Sequence, residues 1–230
     1  MGWQLKIGRA AGIDVFVHWT FVFAPIYVVY SCWETGWAMI GVMLVLLLCF
    51  FACVLLHEFG HALAAKQLGI KTLDIIITPI GGLARLVGMS RNHPWQEFLI
   101  TLAGPTVNLF LCLLFFVYLV ATSQNLMPTS IAAFPQILFW ANLALFLFNL
   151  VPAFPMDGGR ILRSLLAIFV PYKTATMIAG NLGRVLAILF VVTGLYRSEF
   201  PFVLIGIFVF FAATAEIQFT RDATDSDRLD

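Results

Sequence analysis

Charge is what this chain has least of. Asp, Glu, Lys and Arg make up 11% of its 230 residues while apolar types make up 61%, and mean hydropathy is +0.97. Soluble domains carry about 25% charged residues, so composition excludes them and leaves a membrane protein. The net charge is +1 and no basic run occurs, which removes the electrostatic footprint of nucleic-acid binding. Cys32, Cys49, Cys53 and Cys112 show no CxxC spacing, and they read as small packing residues rather than a disulfide framework. The first twelve residues lack a short apolar core followed by a cleavage site, so no cleavable signal peptide is expected. Internal repeats and low-complexity linkers are also missing. Residues 1–220 therefore read as one domain and 221–230 as a polar tail.

Long hydrophobic runs, by contrast, are abundant. Crossing a bilayer as a helix takes roughly 20 apolar residues. Six segments qualify: 15–33, 37–65, 97–121, 135–156, 174–196 and 201–219. The expected fold is an α-helical polytopic membrane protein with six transmembrane helices. The third is introduced by "NHPWQEF", where Asn92 or His93 can cap and Pro94 suits the first turn. Six crossings put both termini on one side. That side collects Lys6, Arg9, Lys66, Lys71, Arg85, Arg91, Arg160, Arg163, Lys173, Arg221 and Arg228, eleven of the thirteen basic residues. Such asymmetry makes it the cytoplasmic side. Arg197 lies opposite, and Arg184 sits within the fifth span. An intramembrane arginine is a functional candidate by default, but a bundle-facing or snorkelling side chain accounts for it equally simply.

Between the second and third spans, "KTLDIIITPIGGLARLVG" sets apolar and β-branched residues on both sides of Pro79, Gly81 and Gly82. A small β-hairpin on the cytoplasmic side is expected. Strand edges cannot face hydrocarbon, so it belongs at the interface or beside a wet cavity.

Against this background "VLLHEFGHALAA", residues 54–65, stands out. No charge occurs from Trp37 to Leu56, and then come His57, Glu58 and His61. On a helix the two histidines lie one turn apart on one face, with Glu58 in the same third of the wheel. Both imidazoles can reach one metal ion while the carboxylate approaches a water beside it. HExxH is the zinc metalloprotease spacing. Hydrogen-bonded core residues are the plainer reading, but a membrane helix bears a heavy cost for a carboxylate unless a cation offsets it.

A catalytic zinc takes three protein ligands and keeps a fourth position open. "NLVPAFPMDGGR", residues 149–160, supplies the candidate third ligand, Asp157. Pro152 and Pro155 break the helix before it, and a break at membrane depth must line a cavity or meet protein. His57 lies twenty residues into its span from Trp37, and Asp157 lies 22 residues in from Pro135. At 1.5 Å per residue both depths are about 30–33 Å, so the ligands reach the same level near the cytoplasmic boundary. Cys49 and Cys53 continue the histidine row, but one straight helix cannot wrap four ligands around one ion. His18 and His93, near span ends, suit interfacial or capping roles.

With "HEFGH" and "NLVPAFPMDGGR" together, the chain resembles the site-2 proteases, zinc metalloproteases that cut substrates within the membrane. "LKIGRAAGIDVFVHWTF", "PIGGLARL" and "LAGPTVNL" are similar to that family's entry into its first span, its membrane-associated β-segment and its third span. The resemblance implies that His57, His61 and Asp157 bind one zinc ion per chain and that Glu58 is the catalytic acid/base. It also implies that Asn149 holds the substrate or its oxyanion, although an inter-helix hydrogen bond would equally occupy that amide. Asn108 reads as structural. The implied substrates are single-span membrane proteins cut within the bilayer, without nucleic acid. The PDZ and CBS modules of larger relatives are not expected in these residues. Because unwound substrate backbone needs new partners in a membrane, an edge of the hairpin, at Ile76 or Leu83, is the expected docking strand. Two other classes stay open: a membrane metal-ion transporter, and a catalytically silent relative that binds client helices. A transport path calls for polar ligands at several depths, whereas here they gather at one level.

Overall fold

A computed structural model describes residues 3–88, 93–130 and 133–226. Arg91, Asn92 and Arg228, used above for capping and orientation, lie outside the described residues. The chain divides into two compact units, Met1–Gly88 with Ala103–Phe146 and Met89–Leu102 with Leu147–Asp230.

The first unit opens with two strands, β1 (Gln4–Ala10) and β2 (Ile13–His18). They are joined through Ala11 and Gly12, whose φ angles of 53° and 86° suit a two-residue turn with positive φ at both positions. A 3-10 turn at Trp19–Val22 follows, then α1 (Phe23–Ser31) and α2 (Trp37–Gln67). The His18 ring caps the 3-10 turn by accepting from the Thr20 amide at 3.4 Å. After α2 come β3 (Lys71–Thr78) and β4 (Gly81–Val87), the hairpin expected around Pro79. The sheet holds four strands in the order β1-β2-β3-β4, with β2 and β3 parallel and the other pairs antiparallel.

This corrects two expectations. Residues 15–18 are strand rather than the start of a span, because Val15, Phe16 and Val17 pair with Ile75, Ile76 and Ile77 of β3. Ile76, with β2 on one side and β4 on the other, has no free edge; the edges are β1 and β4. The sheet rests on α2 through a core of Ile13, Phe51, Val54, Ala62, Ile75 and Ile77. Burying the Ile, Val and Phe side chains among these contributes about 1.5–3 kcal/mol each. Asp74 on β3 accepts from Arg85 Nε on β4 at 2.6 Å, and this carboxylate pushes the guanidinium pKa up.

The chain continues through α3 (Pro94–Ala121) and α4 (Phe134–Asn149). Four helices among the described residues are long and apolar enough to cross a membrane: Trp37–Gln67, Pro94–Ala121, Tyr172–Arg197 and Phe200–Asp222. Trp19–Ser31 and Phe134–Asn149 are shorter apolar helices. The structure is thus mostly helical with one small sheet, and its apolar helices are those of a multi-pass membrane protein.

The second unit carries the helix break at residues 150–156 and three helices, α5 (Asp157–Leu166), α6 (Tyr172–Arg197) and α7 (Phe200–Ser226). Helix α6 turns a stripe of small buried residues, Ala175, Ala179, Gly183 and Ala187, to its neighbours. Small residues let helix backbones approach closely where lipid gives no hydrophobic drive. Arg163 on α5, one of the basic residues used to orient the chain, is buried. It donates to Glu97 and Glu216 and lies 5.0 Å from the Phe154 ring and 4.9 Å from that of Tyr172. Arg184 donates to Thr214 and Asn181, which fits the bundle-facing one of the two roles its sequence position left open.

Candidate metal centre

Helix α2 carries three polar residues in its last third because i, i+4 spacing sets them on one buried face. His57, Glu58 and His61 are all buried. The Nε2 atoms of His57 and His61 are 3.1 Å apart, with the rings edge to face. Two nitrogens about 2.0–2.1 Å from a tetrahedral zinc stand roughly 3.3 Å apart. The imidazole pair therefore fits one shared ion.

Helix α3 shapes the other side of this pair. A Cβ at Gly104 would lie against Nε2 and Cε1 of His61 and 2.8 Å from Nε2 of His57. The space at both ligand atoms exists because residue 104 has no side chain. One turn further on, Asn108 Oδ1 stands 2.5 Å from His57 Nδ1. Asn108 in turn donates from Nδ2 to Asn142 Oδ1 on α4 at 3.0 Å.

Glu58 faces the sheet. Its Oε2 accepts from the Ala84 amide of β4 at 2.9 Å. A Cβ at Gly82, also on β4, would come within 2.9 Å of the Glu58 carboxyl carbon. The hairpin turn thus brings a glycine and a backbone donor to the carboxylate, which leaves it room and orients it.

Asp157 and Asn149 belong to the second unit. Asn149 is the last residue of α4 and is half-buried. The chain then bends through residues 150–156 as the two prolines required, and Asp157 starts α5. A carboxylate at a helix N-terminus is stabilised by the helix dipole. The two glycines after it have a packing reason: a Cβ at Gly158 would strike the carbonyls of Leu150 and Val151, and one at Gly159 would come 2.7 Å from the Phe154 amide. The bend folds back onto the first turn of α5 and holds Asp157 in a buried position.

Of the five expected site residues, the first unit brings His57, Glu58 and His61 together, and the second carries Asn149 and Asp157 on either side of the break. Gly104, Asn142, Gly82 and the Ala84 amide are not among the site residues the sequence singles out, and Asn108 reads there as structural. One sequence signal pointed to two of them. Gly104 and Asn108 are four residues apart in "GPTVN", so one face of an apolar helix carries a gap and an amide.

The family model for Peptidase family M50 matches residues 45–132 and 120–193. "Zinc metalloprotease MJ0392" of Methanocaldococcus jannaschii is 34% identical over 221 residues, covering 94% of this chain and 61% of that protein. The chain thus spans about three fifths of that relative's length. The solved structure "Site-2 Protease from Methanocaldococcus jannaschii" superposes with a TM-score of 0.68 at 31% identity, covering 94% of this chain and 95% of the other. With the family model matched over well more than half of its 230 residues, the chain belongs to peptidase family M50.

Proposed function

We propose that this chain is an intramembrane zinc metalloprotease that hydrolyses peptide bonds within or near the membrane segments of single-span proteins. The observation that carries the reading is the His57–His61 pair, with Nε2 atoms 3.1 Å apart and Glu58 beside them on the buried face of an apolar helix. Membership of a family with zinc metalloprotease members implies zinc. His57, His61 and Asp157 each offer one ligand atom and together would hold the ion. When bound, zinc supplies the Lewis acidity that polarises a carbonyl and lowers the pKa of water towards about 7.

The chain's own residues do the rest. Glu58 takes a proton on its carboxylate as water attacks the scissile carbonyl and returns it to the departing amine. The Ala84 amide keeps that carboxylate aimed by donating to Oε2. Asn149 donates its side-chain amide to the substrate carbonyl or to the negative charge that develops on it. A transmembrane substrate must unwind before attack, and the backbone groups of β4, an edge strand, other than the Ala84 amide, are the partners for its freed backbone.

In this reading one protease domain spans residues 1–220. The helices cross six times, both shorter apolar helices included, both termini are cytoplasmic, and the ligands lie near that face. Cleavage of a single-span peptide in proteoliposomes tests it. Chelator-sensitive cleavage by wild type that is lost in Glu58→Gln supports the protease. Zinc flux without cleavage would instead mark a transporter, and client binding without either would mark a silent relative.

A further inference from the structure

Asn108 and Asn142 are completely buried in the first unit, and an amide in that setting has a direction. The direction can be read from one end. Asn142 Nδ2 lies 2.8 Å from the Leu138 carbonyl, which can only accept, so the NH2 group of Asn142 must face it. The same NH2 reaches Cys53 Sγ at 3.3 Å. Asn142 Oδ1 therefore points the other way and accepts from Asn108 Nδ2 at 3.0 Å. That turns Asn108 Oδ1 onto His57 Nδ1 at 2.5 Å. An amide oxygen only accepts, so the proton of the neutral imidazole sits on Nδ1 and its lone pair on Nε2, the atom facing His61.

We propose that Leu138, Asn142 and Asn108 form a polarity relay that selects the His57 tautomer able to bind metal through Nε2. The inference rests on the metal reading of His57 and His61 given above. Both asparagines are positioning residues, since neither touches the reacting atoms. The opposite tautomer would set a bare Nδ1 against the Asn108 oxygen. Curing that by turning Asn108 would oblige Asn142 to turn as well, and would set the Asn142 oxygen against the Leu138 carbonyl. In a buried site such lone-pair opposition has no water to relieve it. The Cys53 thiol also gains a role here: it is a soft second acceptor that helps hold the Asn142 NH2 in place.

Zinc affinity of the full chain in detergent, measured by chelator competition, tests the relay without any substrate. Asn108→Leu should weaken zinc binding roughly 10–100-fold, the usual loss when the outer partner of a ligating histidine is removed. Asn108→Asp should keep zinc affinity within a few-fold of wild type, because a carboxylate oxygen still accepts from Nδ1, and the cost of its second oxygen facing Asn142 Oδ1 should fall on stability. The decisive comparison is Asn142→Leu made in both backgrounds. It should weaken binding when residue 108 is asparagine, which can then turn over. It should have little effect in the N108D background, where polarity no longer depends on Asn142. Nitrogen-15 NMR of the metal-free protein should show neutral His57 protonated at Nδ1. Equal losses from Asn142→Leu in both backgrounds, or Asn108→Leu with undiminished affinity, would overturn the relay while leaving the metal site standing. A wild-type chain that binds no zinc would overturn the metal reading and the relay with it.

Discussion

Replacing Gly104 with alanine puts a methyl group where the two imidazoles present their nitrogens. An added Cβ would lie 2.8 Å from His57 Nε2 and tighter still against His61, while ordinary contact begins at 3.4 Å. The shortfall at His57 alone is about 0.6 Å, and metal–ligand distances tolerate roughly ±0.2 Å. Either the imidazoles swing aside or α3 backs away from α2. Overpacking of this kind costs about 1–3 kcal/mol of stability. The ligand displacement should in addition lower zinc affinity by at least roughly tenfold, about 1.4 kcal/mol. Gly41→Ala is the matched control, since its Cβ meets nothing within 4 Å. Zinc content after purification and a chelator titration read both variants. If Gly104→Ala kept wild-type affinity while remaining folded, the open space between α2 and α3 would not be the metal's, and the placement argued from it would fail.

Four further outcomes follow from the same geometry. Glu58→Gln should keep its zinc and lose cleavage, because an amide cannot accept the proton; loss of zinc by elemental analysis would make Glu58 a ligand instead. Asp157→Ala should lose most of the bound zinc, and a full complement in that variant would mean a different third ligand. Arg163→Ala should destabilise the second unit by about 3–5 kcal/mol, since it strands the buried Glu97 carboxylate; a thermal midpoint in detergent equal to wild type would refute this. Gly82→Leu should impair cleavage by pushing the Glu58 side chain off its line while leaving zinc bound, and unchanged turnover would show that β4 does not set the carboxylate's position.

Beyond the site, composition and position carry further than expected in some places and mislead in others. Pro152 and Pro155 announced a break after α4, and the helix ends at Asn149 as local sterics require. The first expected span loses its opening residues, 15–18, to a strand for an equally physical reason. An apolar run such as Val15–Val17 looks the same whether lipid or a neighbouring strand covers it, and its partner β3 lies about sixty residues further along the chain. Arg163 shows a limit of another kind: its charge counts toward one side of the membrane, but nothing near it in sequence marks that two glutamates from distant helices offset its burial.

What the sequence determined by itself is what depends on short spacing. The two histidines share a face because 3.6 residues make a turn, the glutamate follows one of them by a single step, and membrane residence follows from the sum of side-chain transfer energies. Tertiary structure decided everything that depends on which distant atoms meet. It set Gly104 against the imidazoles, Ala84 against Glu58, and Asn108 between His57 and Asn142. An amide in an apolar helix carries no mark of its partner, because hydrogen bonds are directional in space and indifferent to separation along the chain. The tautomer of His57 is therefore a property of the fold, settled by a carbonyl 81 residues away at Leu138.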